Sequence, residues 1–105
     1  MHDLTGFQRD LLFIIAGLDD PHGLAIKDEL EEYYQKEVRH GRLYPNLDTL
    51  VDLGLVEKGK KDKRTNEYRI QDRGLRELEA RMRWELGYLP GDLANELLEP
   101  PPRAE

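Results

Sequence analysis

The run HGRLYPNLDTLVDLGLVEKGKKDKRTNEYRI, His40 to Ile70, decides the fold, because its apolar period changes partway along. At about 100° per residue, Leu43, Leu47 and Leu50 fall within about 60° of one another, the mark of a one-sided helix. This helix is predicted to open near Gly41 and to close at Gly54, a glycine where a C-terminal cap is expected. Pro45 then falls in its first turn or so, where a missing amide proton does little harm. Past Gly54 the period becomes alternating. Segments 55–58 and 67–70 read as short strands, and 59–66 joins them as a hairpin with a polar, basic tip.

Upstream, Thr5 followed by Gln8 is a capping-box pattern, and Phe7, Leu11, Ile14, Ile15 and Leu18 form the stripe of a first helix. Residues 19–23 break it. A second helix is predicted over 24–34, with Ile26, Leu30 and Tyr33 facing inward and Asp28, Glu29, Glu31 and Glu32 solvated. Downstream, 72–87 reads as a fourth helix striped by Leu75, Leu78, Met82, Leu86 and Leu89. Pro90-Gly91 ends it, and Asp92 is placed as the cap of a short helix through Leu98. Pro100 to Pro102 forbid more helix, so 99–105 is expected to be a disordered tail. The chain is therefore mainly α with a small β-hairpin. Its element order is that of a winged helix-turn-helix.

Composition narrows the function. At 105 residues the chain has room for one core. With no cysteine, disulfides and thiolate metal sites are excluded. No apolar run approaches the roughly 20 residues of a membrane span, and Met1-His2-Asp3-Leu4-Thr5 lacks the pattern of a signal peptide, so a cytoplasmic protein is expected. His2, His22 and His40 share no ligand spacing. No phosphate loop or nucleophile motif is present. The reading is of a protein that is not an enzyme and needs no metal or cofactor.

The net charge of −6 argues against a nucleic-acid partner, but its distribution does not. Ten basic and seven acidic residues lie between Lys36 and Arg73, against six and fifteen elsewhere. Five of the seven residues from Lys58 to Arg64 are basic, and the segment holds four of the six lysines. An exposed hairpin gains nothing in folding from collected like charge, whereas a phosphate backbone beside it relieves the repulsion. On the third helix Arg42, Pro45, Asn46 and Thr49 lie about 100° from the leucines, and Arg42 and Asn46 suit guanine and adenine edges. Asp48 and Asp52 are assigned to a third side, away from this groove face. Lys36, Arg39 and His40 precede the helix and are expected to grip phosphates. A DNA-binding regulator is the leading reading; a winged helix serving only as a protein-interaction module is the alternative.

His40 to Leu47, with Leu50, Gly54-Leu55-Val56, Tyr68-Arg69-Ile70 and Gly74, resembles the PadR-type regulators, whose third helix carries Leu-Tyr-Pro-x-Leu before a Gly-Leu turn into the wing. The likeness extends from about His22 to Met82. It implies a homodimer, a palindromic double-stranded DNA operator and, usually, repression. It places Arg42, Asn46, Lys60, Lys61, Lys63 and Arg64 against DNA, and Tyr44 and Thr49 of the same helix are counted with them as DNA-binding candidates. Residues 1–71 would be the DNA-binding domain and 72–98 the dimerisation segment, with Leu75, Leu78, Met82, Trp84, Leu86 and Leu89 in the interface. Some PadR-type proteins hold flat aromatic ligands between protomers, so Met82, Trp84 and Tyr88 leave a small-molecule effector open beside plain interface packing. Two positions depart from the family pattern. Arg42 replaces a small threonine, and Gln71 stands where a capping threonine is usual, which leaves Asp72 to take that cap. The acidic exterior and scarce lysine also resemble proteins of salt-loving archaea.

Overall fold

The first helix is started by its own side chains: Gln8 N–H donates to Thr5 Oγ1 and Thr5 N–H to Gln8 Oε1, both at 3.1 Å. The computed structural model describes residues 3–99; His2 and the tail from Pro100, expected to be disordered, lie outside the described residues. Its elements are α1 (Gly6–Gly17), α2 (Gly23–Tyr34), α3 (His40–Asp52), β1 (Val56–Lys60), β2 (Asn66–Ile70), α4 (Asp72–Leu86) and α5 (Gly91–Leu98).

Helix α1 is the hub, touching α2, α3, β2 and α4. Its apolar arc is accordingly wider than one stripe: Phe7, Leu11, Leu12 and Ile15 are buried, while Ile14 only flanks the core. Leu12 escaped the expected pattern because a helix enclosed on several sides needs apolar residues on several sides. Ile26 and Leu30 of α2 and Leu43, Leu47 and Leu50 of α3 complete the interior with no exposure. Each such side chain contributes about 1.5–3 kcal/mol by leaving water.

Tyr33, expected inside, is 81% exposed. Tyr34 packs against the core instead, because α1 lies on its side of α2 and supplies Phe7 for its ring and Asp10 for its hydroxyl, at 2.5 Å. Burial first, then the Asp10 hydrogen bond, pushes the Tyr34 phenol up to about 12.

The turn between α2 and α3 is held from inside. Gln35 closes α2 in the left-handed region, Val38 is buried, and its N–H donates to Glu31 Oε2 at 2.8 Å. Helix α3 starts earlier than Gly41, so Pro45 lies in its second turn rather than its first. The helix ends in a Schellman motif: Leu55 N–H reaches the Leu50 carbonyl and Gly54 N–H that of Val51. Gly54 has φ +75°, a conformation that penalises any side chain.

The strands pair antiparallel, Val56 with Ile70, Lys58 with Tyr68 and Lys60 with Asn66. They run further than expected because the Asp62 carboxylate accepts the N–H groups of Arg64 and Thr65, both at 2.9 Å, which tightens the tip to 61–65. Those bonds, Arg64 N–H first, lower the Asp62 pKa. The hairpin is fastened to the helices by the Tyr68 N–H to Pro21 carbonyl bond (2.8 Å), a bridge between His22 and Glu67, and the Arg69–Asp20 pair at 2.9 Å.

Asp72 does not take the cap of α4. It is the first helical residue, and Gln71 holds the cap position with its amide turned to Glu57 at 3.1 Å. Asp92 likewise sits inside the first turn of α5, behind Pro90. Both carboxylates act on the helix dipole rather than as caps.

Candidate nucleic-acid interface

The three core leucines of α3 fix which way its other side faces. Opposite them lie Gly41, Pro45, Asp48 and Asp52, all exposed and within an arc of about 60° at 100° per residue. This corrects the expectation that the two aspartates point away from the outward face. The direction is set by the leucines behind the helix and not by the centre of its polar residues. Arg42 and Thr49 flank one edge of the arc and Tyr44 the other.

Arg42 is exposed, with its guanidinium 4.0 Å above the centroid of the Phe7 ring on α1. Asn46 is half-buried: Oδ1 accepts from Gln8 Nε2 at 2.9 Å, and Nδ2 donates to the Arg42 carbonyl at 2.7 Å. Thr49 turns its hydroxyl back to the Pro45 carbonyl at 3.1 Å. Tyr44 stands edge-on to His40, and its ring lies so close to Gly23 that a Cβ there would come within 2.6 Å of Oη. Lys36, Arg39 and His40 are exposed along the approach to the helix.

The pleat of the hairpin sorts its charges. Lys58, Lys60, Asn66 and Tyr68 share one face, while Glu57, Gly59, Glu67 and Arg69 share the other. Tyr68 is buried against the core, so the lysine face is the one turned to α3, and Lys58 Nζ reaches Asp48 Oδ1 at 3.4 Å. Lys60, Lys61, Lys63 and Arg64 are exposed around the tip. Arg64, Thr65 and Asn66 line an open cleft whose other wall is His22, Gly23, Leu24 and Tyr44. The start of α2, the start of α3 and the basic tip thus converge along one edge.

The C-terminal helices present a separate apolar surface. Leu75, Met82, Trp84 and Leu89 are exposed, with Tyr88 and, from α5, Leu93, Leu97 and Leu98. Trp84 meets Tyr88 edge-on and carries the Arg81 guanidinium over its ring. Leu86 is half-buried. Leu78 departs from the expected interface set: it is buried in the protomer's own core. Phe7 and Gln8 were missed as neighbours of the candidate site. The sequence marks Gln8 only as a capping partner, and nothing in it signals a bond to a residue 38 positions away. Among the described residues no cluster of metal-ligand side chains occurs, and no helix is long and apolar enough to cross a membrane.

The PadR-like transcriptional regulator family model matches residues 11–80. The chain belongs to that family. Among solved structures, this PadR-like chain is similar to RosR of H. salinarum in the complex termed RosR-S1, with 48% identity, a TM-score of 0.84, and coverage of 92% of this chain and 87% of that one. A transcriptional regulator from Clostridium thermocellum, Cth-833, shares 20% identity at a TM-score of 0.62, covering 88% and 92%. F93 from STIV, described as a winged-helix DNA-binding protein, shares 18% at 0.57, covering 74% and 84%. The last two likenesses are of fold alone, and that fold is the winged helix expected from the His40–Ile70 run. Comparison with curated proteins returns no match.

Proposed function

We propose that this PadR-like regulator binds double-stranded DNA as a homodimer, with α3 toward the major groove and the hairpin tip along the phosphate backbone. The observation that carries the reading is the Lys58–Asp48 contact, which brings the lysine face of the hairpin and the outward side of α3 to one edge. Arg42 supplies a base-reading side chain at the border of that edge. Lys60, Lys61, Lys63 and Arg64 supply phosphate contacts, with Lys36, Arg39 and His40 at the other end of the helix. Tyr44 and Thr49 line the same helix.

Dimerisation through 72–98 is supported by the apolar and aromatic side chains that α4 and α5 leave uncovered, residue types favoured in homodimer interfaces. A two-fold dimer would set its two α3 helices about 34 Å apart and favour a palindromic operator. The regulator would act in the cytoplasm, as a repressor and as a binding protein with no catalytic step. It requires no cofactor.

Gel-shift titration on the promoter of its own gene, from low to molar salt, tests this. Wild type should shift the fragment. Arg42→Ala should lose about 1–3 kcal/mol and relax preference at one base position. Replacing Lys60 and Lys61 by Ala should weaken binding to all sequences alike and flatten the dependence on salt. Absence of a wild-type shift at every salt concentration would assign the fold to protein interaction instead.

A further inference from the structure

The flank of α3 beside its outward side is braced from α1, and the brace treats Arg42 and Asn46 differently. An asparagine that reads adenine uses its amide oxygen as acceptor and its NH2 as donor side by side. Here both halves of that edge are engaged, the oxygen by Gln8 and the NH2 by the Arg42 carbonyl. Gln8 is itself fixed, since its Oε1 accepts from the Thr5 N–H in the capping box. A continuous line of bonds therefore runs from the cap of α1 through Gln8 and Asn46 to the backbone of Arg42.

Arg42 is held by the neighbouring residue of α1. Its guanidinium, whose N–H donors form a planar fork, has its central carbon over the Phe7 ring, 4.0 Å from the centroid, a cation–π contact. These donors make no hydrogen bond to any other described residue. The long side chain is thereby restricted in direction while its recognition edge stays unpaired, which is what discrimination between bases demands.

We propose that Phe7 and Gln8 are positioning residues for sequence reading: they aim Arg42 at the bases and withdraw Asn46 from them. The inference rests on α3 being the DNA-facing helix. If Phe7 and Gln8 served packing alone, changing them would alter stability and leave base preference untouched.

The test is selection from a duplex library with a randomised central stretch, followed by titration of the selected duplex, its single-base variants and a scrambled duplex. R42A defines the position that Arg42 reads. F7L should relax the same position by about tenfold while affinity for the scrambled duplex changes little, and F7Y, which keeps a ring under Arg42, should retain the preference. N46A should leave every base preference in place. Q8A, which keeps the core intact, should release the Asn46 amide and create an adenine preference that Q8A/N46A abolishes. If R42A relaxes a position but F7L and Q8A keep the wild-type profile, the positioning role is overturned while DNA reading stands. Loss of an adenine preference in N46A alone would overturn it as well. A wild-type protein that selects no sequence removes the reading beneath it.

Discussion

Lys58 Nζ on the hairpin lies 3.4 Å from Asp48 Oδ1 on α3, so a cation of the wing faces a carboxylate of the helix beside it. Both side chains are well exposed, and such a pair adds little to stability. Its consequence is for charge at the edge proposed to face DNA, where Asp48 would compete with phosphate for Lys58. Asp48→Asn should tighten binding to duplex DNA by about tenfold at low salt and steepen the plot of log K against log salt by about one unit, as one more phosphate is neutralised. Titrations at several salt concentrations check it; an unchanged slope would mean that Lys58 stays off the DNA.

Helices α4 and α5 make the second prediction. Met82→Glu and Leu93→Glu place charge on exposed apolar positions that contribute nothing to the protomer's buried core. Each should convert the proposed dimer to a monomer in sedimentation, since an unpaired charge in an apolar interface is strongly unfavourable. Leu78→Ala should behave differently, losing about 2–5 kcal/mol of folding stability as a core cavity does. Sedimentation of the Glu variants at the wild-type rate would place the dimer contact elsewhere.

What the sequence made legible was local. The capping box of α1, the leucines of α3, Gly54 and the hairpin each depend on residues a few positions apart, and each appears where periodicity and turn chemistry put it. The misplaced details depend on which element lies alongside. Tyr34 rather than Tyr33 turns inward because α1 offers Asp10, and Leu78 leaves the interface stripe because it joins the protomer's core. The same holds at the candidate site. Arg42 and Asn46 are readable as polar residues one turn apart, but their division of labour is written by Phe7 and Gln8 on another helix.

Glu31 ties the second helix to the turn before α3, accepting from the Val38 N–H and from Lys27 Nζ at 3.0 Å. The Val38 bond first, and then Lys27, hold its pKa below the ordinary 4.5. A depressed carboxyl contributes stability that is complete above its unfolded value and lost as pH falls through the folded one. The Tm of the wild type should therefore fall as pH drops below about 4.5, and Glu31→Gln should start lower at pH 7 and decline less steeply. Thermal melts between pH 7 and 3 provide the check, and parallel curves for the two proteins would dismiss Glu31 as a contributor.

Tyr68 is the one described residue whose buried side-chain oxygen has no hydrogen-bond partner. The residue is 1% exposed, and burial first, with the charge of Asp48 adding to it, pushes the phenol up to about 12. The ring fills the core, but the hydroxyl loses its water without finding a protein acceptor, a loss of about 1–3 kcal/mol for a group of this kind. Tyr68→Phe keeps the ring and removes that group. It should leave Tm unchanged or raise it, unlike Tyr34→Phe, which discards the bond to Asp10 and should lower it. The two phenols also predict a common alkaline limit: a raised pKa contributes stability present below the ordinary value of 10.0 and lost as pH climbs toward 12. Melts of both variants at pH 7 and pH 11 decide the matter. A clear fall in Tm for Tyr68→Phe at pH 7 would show that its hydroxyl is satisfied in solution, with water as the obvious donor or acceptor.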